Sequence, residues 1–361
     1  MLPLHHPDII NIIYMKIYID NSFDTAFPCP ENAIFFHSTN EIPNDCDIVA
    51  VNFLYNSWAH YQLTIQELSL RTKKLLVILR NPAQSGMSFT DFIDSIDCDN
   101  VYFFSNAVFN YTPKVNIETM ISWFGILENV YVTQPWATER MLQLDAVLQR
   151  QQPLSPSQLV LGNNTKKSIV YPRAMMFDCL LGSKRPHRDI IQTCYKNSQH
   201  RDQILFSYFK YSENIAQGIW DEDVDVGSYE PAYYYAALPL NIYNQTYYSI
   251  VAETTTANNF NHYSEKVAKP IVAGRPFVVF AGQNYLSNLR HLGFKTFASV
   301  IDESYDNIAD MHQRMTAAWH QVEWLCEQDP AHVYCELHDV LQHNRQHFLT
   351  TDWHSAIQKH F

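Results

Sequence analysis

The stretch "HYSEKVAKPIVAGRPFVVFAG", residues 262–282, sets a carboxylate and an ammonium side by side just after a residue suited to cap a helix. Ser264 fits an N-cap, Glu265 and Lys266 fall in the first turn, and Gly274 fits the C′ position, so the spacing predicts a helix of about three turns. Pro270 lies inside that span, where it removes one backbone donor and crowds the Lys266 carbonyl, so a kink or an irregular first turn is expected. A helix N-terminus offers free N–H groups and partial positive charge. With Lys266 added, the place suits a phosphate. Glu265 suits a different task, accepting hydrogen bonds from a ribose diol. An acidic residue in a first turn also serves ordinary helix electrostatics, so the pair alone does not define a site.

A second junction carries the same chemistry. "LLGSKRPHRDIIQTC", residues 180–194, places Gly182, Ser183, Lys184, Arg185 and Arg188 between an apolar strand and an amphipathic helix. Guanidinium groups match phosphate oxygens in bidentate fashion. A solvated basic loop is the plainer account of the same residues. Four of the chain's 9 glycines (Gly182, Gly274, Gly282 and Gly293) lie in or beside such segments, where backbone turns tightly or approaches something closely.

The elements that must hold these residues read as α/β. Continuous apolar runs at 16–19, 47–54, 75–80, 100–104 and 129–132, separated by helix-length gaps, predict a doubly wound parallel sheet. Residues 149–167 mix Gln, Pro, Ser and Asn without periodicity and read as a linker. Strand runs resume at 174–181, 204–209, 247–253 and 276–282, and 307–361 is helical in pattern, broken at Asp329-Pro330. The expected organisation is an N-terminal lobe over 1–148, the linker, a C-terminal lobe over 168–306 and a helical segment over 307–361 packing on the lobes. Residues 1–14 are read as an extension ahead of a start at Met15.

Composition narrows the function. The 361 residues carry 37 Asp plus Glu against 25 Lys plus Arg, a formal net charge of -12, which opposes broad capture of nucleic acid or anionic membrane. Seven cysteines without a CxxC indicate neither a disulfide framework nor a thiolate metal site, and read as reduced thiols of a cytoplasmic protein. "IINIIYMKIYI" is interrupted by Asn11 and Lys16 and is read as neither signal peptide nor membrane span. The absence of GxGxxG, P-loop, GxSxG and kinase motifs removes support for dehydrogenase, NTPase, serine hydrolase and kinase activities.

Other chemistry-bearing clusters read as structural. His338, His343 and His347 include an i, i+4 pair without a supporting carboxylate, and a solvated helix face is expected. Asp302, Glu303 and Asp306 lack the spacing of a calcium loop and read as a capped turn. The tyrosine-rich run 230–248 could form a wall against a sugar or base, and equally could pack in the core.

Taken together, "LLGSKRPHR", "YYSIVAETTT", "HYSEKVAKPIVAGRPFVVFAG", "LGFKTF" and "DESYD" resemble the donor-binding half of fucosyltransferase-like GT-B glycosyltransferases, over roughly residues 170–310. The resemblance implies two Rossmann-like lobes facing a cleft. It implies a nucleoside-diphosphate sugar as co-substrate, with Glu265 on the ribose, Arg188 and Lys266 on the diphosphate, Arg185 nearby, and His262 or Tyr263 against the base. Inverting transfer in such enzymes uses no metal or other cofactor, and a carboxylate of the N-terminal lobe takes the acceptor proton. Asp20, after the first strand, is the candidate base, with Asp24 and Glu139 as others. Two positions depart from the family pattern: Glu253-Thr254-Thr255 stands where the family has Glu-Asn-Ser or Glu-Asn-Thr, and "AGQNYL" replaces a glycine-proline loop. The sugar and nucleotide are therefore left open, as is the acceptor, which could be a glycan, a lipid-linked sugar, a protein or a modified base. A catalytically silent lobe that binds a nucleotide or glycan is the alternative expectation.

Overall fold

The computed structural model describes residues 15–20, 30–53, 58–79, 89–119, 173–182, 184–208, 240–243, 245–353 and 355–361. The expected strand at 129–132, the linker at 149–167, the extension at 1–14, Ser183, Asp24 and Glu139 lie outside the described residues.

The chain forms α/β structure around two separate parallel sheets. The first contains β1 (Ile17–Asp20), β2 (Ile34–Phe36), β3 (Cys46–Phe53), β4 (Thr72–Leu79), β5 (Val101–Ser105) and β7 (Asn116–Thr119), in the order β2-β1-β3-β4-β5-β7. Its central runs are apolar on both faces because both are covered. Helices α1 (Trp58–Ser69) and α2 (Phe89–Asp94) belong to one cluster, where Ile65, Leu68 and Phe92 meet Val49, Leu75, Val77 and Phe103.

The second sheet contains β8 (Met175–Leu181), β9 (Ile204–Tyr208), β10 (Thr246–Ala252) and β12 (Phe277–Phe280), in the order β12-β10-β8-β9. All its pairings are parallel. Both sheets thus repeat one local order: the second strand in sequence lies outside the first, and the third pairs on the first strand's other side. That reversal opens a crevice at the carboxyl ends of β1 and β3 in one sheet, and of β8 and β10 in the other.

Among the described residues, six α-helices follow β8 before a last short one. These are α3 (Pro186–Asn197), α4 (Leu240–Tyr243), α5 (Glu265–Val272), α6 (Tyr285–His291), α7 (Met311–Cys326) and α8 (Pro330–Thr350). The long α7 and α8 bury Met315, Trp319, Val322, Tyr334, Leu337 and Phe348 in the same core as β8, β10 and β12, so the expected helical segment completes the second sheet's core. Asp329 accepts from Ala331 N and Pro330 sits at the first helical position, so the expected stop is also the start of α8. Helix α9 (Ser355–Gln358) then returns to the first sheet, where Ile357 joins Ile48, Ile78 and Phe104.

A short antiparallel ribbon joins the sheets. β6 (Ala107–Phe109) pairs with β11 (Phe260–His262), with Ala107 opposite His262. Beside it, Asn288 donates to Asn110 Oδ1 and Asn261 Oδ1, both at 2.7 Å. Gly282 is required here: a Cβ would stand 2.1 Å from the Ala257 carbonyl oxygen, so only a bare backbone permits this approach.

The core of the second sheet contains an ion pair. Asp178, in the middle of β8, meets Arg275 at 2.9 Å, and Arg275 is wholly buried. Its guanidinium also donates to the carbonyls of Tyr243, Thr246 and Tyr248 and stacks 4.1 Å from the Tyr243 ring. Tyr248 packs on Tyr334, so the described members of the tyrosine-rich run serve the core.

The remaining polar clusters are structural. His343 and His347 bond the carbonyls of Gly293 and Leu292 at 2.9 and 2.7 Å, closing the end of α6, rather than forming the solvated face expected from sequence. Asp302 caps the turn at 303–307, as expected, while Asp306 accepts from Leu286 N and Ser287 N at the start of α6. Among the described residues no group of His, Cys, Asp or Glu could hold a metal ion, and no helix is long and apolar enough to cross a membrane. The described cysteines are free, with Cys46, Cys179 and Cys326 buried and Cys335 exposed.

Candidate functional site

The crevice of the second sheet collects the charged residues singled out in the sequence. Helix α3 begins five residues after β8, with Pro186 at its first position, and directs His187 and Arg188 inward. Arg188 is 3% exposed, and its Nη2 donates to the Ala252 carbonyl at the end of β10 at 3.4 Å. A Cβ on Gly182 would come within 3.4 Å of Arg188 Nη1, so the guanidinium lies close against the backbone that leaves β8. Burial and the Arg185 cation lower the Arg188 pKa, while Glu253 and Glu265 oppose that shift. Arg185 itself is exposed at the helix entry.

Helix α5 approaches from the other side. Ser264 is its N-cap, accepting from Lys266 N at 3.2 Å, and Gly274 follows the helix with φ 63, both as expected. The helix continues through Pro270 to Val272. Lys266 Nζ lies 2.7 Å from Glu265 Oε1 and 3.4 Å from Thr254 Oγ1. Thr254 is two residues beyond Ala252, the residue that Arg188 touches, and such neighbours stand within about 7 Å of each other. The two cations therefore flank one strand end. Burial raises the Glu265 pKa, but Lys266 and Lys269 outweigh it and hold the carboxyl down to about 2.

The sequence reading missed the residue that organises this corner. Glu253 is wholly buried and accepts from Ser264 N at 3.2 Å, Ser264 Oγ at 2.6 Å and Tyr285 Oη at 2.8 Å. Its carbonyl meets His187 Nε2 at 2.9 Å, and since a carbonyl only accepts, that nitrogen carries the proton. Glu253 thus ties the starts of α3 and α5 to the end of β10. Its position directly after an apolar strand was the available signal.

His262 and Tyr263 differ in role. Tyr263 is fully buried, its hydroxyl donates to the Tyr285 carbonyl at 2.8 Å, and its ring lies 4.5 Å from that of Tyr285. It is a core residue. His262 is 6% exposed, and among the described residues neither ring nitrogen has a hydrogen-bond partner. Burial and the nearby Lys266 ammonium lower its pKa to about 4 against the pull of Glu265, so the imidazole is neutral near pH 7. A buried polar group left unpaired costs about 1–3 kcal/mol, so this side chain has a deficit that a ligand would repair.

Asp20 occupies the carboxyl end of β1, at the crevice of the first sheet. β3 and β4 lie between β1 and β5, whose end leads into the ribbon, and three strand spacings separate the outer two by roughly 14 Å. Asp20 and the Arg188–Lys266 group therefore belong to different sheets.

Comparison of the chain with protein-family models, with curated proteins and with solved structures gave no match.

Proposed function

We propose that this chain is an inverting, metal-independent glycosyltransferase of the two-lobed, fucosyltransferase-like GT-B kind, using a nucleoside-diphosphate sugar. One observation carries the reading: Arg188 and Lys266 flank the end of β10 at the switch point of a parallel sheet, with ionised Glu265 beside them and a His262 that has no partner among the described residues. A carboxylate held ionised beside two cations accepts from a ribose diol while the cations face the diphosphate.

In this reading the acceptor oxygen attacks the anomeric carbon as the carbon–oxygen bond to the diphosphate breaks, and the electron pair passes to the departing diphosphate. Arg188 and Lys266 offset the charge that develops there. Arg185 stands at the rim, where it meets the incoming anion. Asp20 receives the acceptor proton, which requires the two crevices to close until its carboxylate is within hydrogen-bond reach of the attacking oxygen. The repeated strand order supports a two-lobed design with one crevice in each sheet. A cytoplasmic location belongs to the same reading.

Calorimetric titration with GDP, UDP and their sugar conjugates tests it. One diphosphate nucleotide should bind selectively. Lys266→Ala and Arg188→Lys should each weaken that binding about tenfold to a hundredfold, the worth of a charge-assisted hydrogen bond. A folded protein indifferent to every diphosphate nucleotide would end the proposal. Hydrolysis of the bound conjugate to free sugar and nucleoside diphosphate, with water as the acceptor and lost in Asp20→Asn, separates turnover from binding alone.

A further inference from the structure

The Lys266 ammonium has as many protein acceptors as hydrogens. It carries three N–H donors, and three oxygens receive them: Glu265 Oε1 at 2.7 Å, Thr254 Oγ1 at 3.4 Å and Ser264 Oγ at 3.4 Å. Consecutive side chains on a helix point about 100° apart and do not face each other. The contact with Glu265 therefore means that the long lysine stem folds back over its own first turn. Both side chains still reach solvent, Lys266 at 30% exposure and Glu265 at 23%. Phosphate oxygens can take this cation only by displacing one of the three acceptors.

Glu265 is the strongest of those competitors, because its contact is the shortest and joins opposite charges. Drawing Lys266 onto a diphosphate leaves the Glu265 carboxylate without its nearest cation and close to a new anion. Lys266 and Lys269 are the groups that hold this carboxyl down to about 2, so the loss of one is felt. A ribose diol repairs the loss, since its two hydroxyls donate to the carboxylate that the ammonium has left. Each half of a nucleoside diphosphate thus removes a penalty that the other half creates. Inorganic pyrophosphate, which lacks the diol, pays that penalty in full.

We propose that the Glu265–Lys266 ion pair is a specificity-determining contact that selects nucleoside diphosphates over inorganic pyrophosphate, by tying the release of Lys266 to occupation of Glu265 by a ribose diol. This inference rests on the nucleotide-sugar reading above and adds to it that the two contacts are coupled. The coupling is reciprocal: phosphate on Lys266 strengthens ribose on Glu265 by the same factor.

The test uses the full chain and calorimetry with inorganic pyrophosphate and with whichever of GDP and UDP the wild type prefers. In Glu265→Gln the internal competitor loses its charge, so pyrophosphate affinity should rise about tenfold while nucleotide affinity falls about tenfold. The rise should disappear when Lys266→Ala is added, because the competitor acts through that ammonium. If Glu265→Gln melts well below wild type, Glu265→Ala provides the same comparison. Pyrophosphate affinity that is unchanged in the variant, that rises in parallel with nucleotide affinity, or that still rises in the Lys266→Ala background would overturn the coupling and leave the nucleotide-sugar reading intact. A wild type that binds no diphosphate nucleotide would overturn both.

Discussion

The Glu253 carboxylate accepts a 2.6 Å hydrogen bond from the Ser264 hydroxyl, and that same hydroxyl oxygen accepts from Lys266 N. A buried acid at the end of one strand thereby sets the first turn of the helix that carries Glu265 and Lys266. The orientation of the proposed anion site is inherited from a residue that need not touch the ligand.

Glu253→Ala should therefore lower stability by about 3 kcal/mol, because it leaves the Ser264 N–H, the Ser264 hydroxyl and the Tyr285 hydroxyl unpaired in the core. Glu253→Gln keeps an acceptor in place and should cost less. Burial raises the Glu253 pKa, so the Gln variant should gain stability relative to wild type as pH rises from the ordinary carboxylate value toward that raised folded value, and should keep the gain above it. Urea unfolding of both variants at pH 5 and pH 8 reads these effects. Equal stability of the Ala and Gln proteins would contradict the organising role.

Arg275 and Asp178 make a different prediction. Removing one member of a buried pair strands the other charge, so Arg275→Met should destabilise by about 3–5 kcal/mol. The double variant Arg275→Met, Asp178→Leu no longer strands a carboxylate and should recover part of that loss. A double-mutant cycle in urea measures the coupling. Additive losses would mean that the contact contributes little beyond packing.

These residues also indicate what the sequence could and could not disclose. The runs "DIVAVNF", "LLVIL" and "FVVF" are apolar on both faces and were legible as buried parallel strands, as were the Ser264 cap and the Gly274 stop. The ribbon was not. Its strands hold three residues each, too few for a period, and pair positions about 150 residues apart. Asp178 was read as part of a strand, but its partner lies 97 residues away in the turn after α5, and no local pattern links them. Thr254 looked like a departure from a family motif because it stands in place of an Asn, and that drew attention away from Glu253, whose burial shows what it does here. His343 and His347 seemed suited to a solvated face because their acceptors are backbone carbonyls, which a side-chain pattern does not register.

Lys269 lies one helical turn after Glu265, and its ammonium interacts with both Glu265 and Lys266. Burial lowers its pKa to about 8, with Glu265 opposing and Lys266 assisting that shift. Below pH 8 the proposed anion site therefore has a further cation, and above it that cation is progressively lost. Pyrophosphate affinity should fall between pH 7 and pH 9, and Lys269→Arg, which stays charged, should flatten that dependence. Without ligand the sign differs: the unfolded chain binds the proton more tightly between pH 8 and 10.5, so Lys269 adds stability as pH rises through that window. Calorimetry at several pH values provides the comparison. An unchanged pH profile in the Arg variant would remove Lys269 from the site.

The two buried histidines predict the response to acid. Burial lowers the pKa of His187 and of His262 to about 4 from an ordinary 6.5, with Arg188 assisting at the first and Lys266 at the second. Between those values the unfolded chain binds protons that the folded protein does not, so stability contributed by each neutral imidazole is complete above pH 6.5 and is lost as pH falls toward 4. Buried carboxylates with raised pKa values, Glu253 among them, act in the opposite sense, so the wild-type profile alone does not isolate the histidines. The difference between wild type and His262→Phe does. The variant lacks one of the two protonations, so its stability relative to wild type should increase as pH drops from 7 to 4.5. Urea unfolding at those two values measures the change, and a stability difference constant with pH would show that His262 is not held neutral in the folded protein.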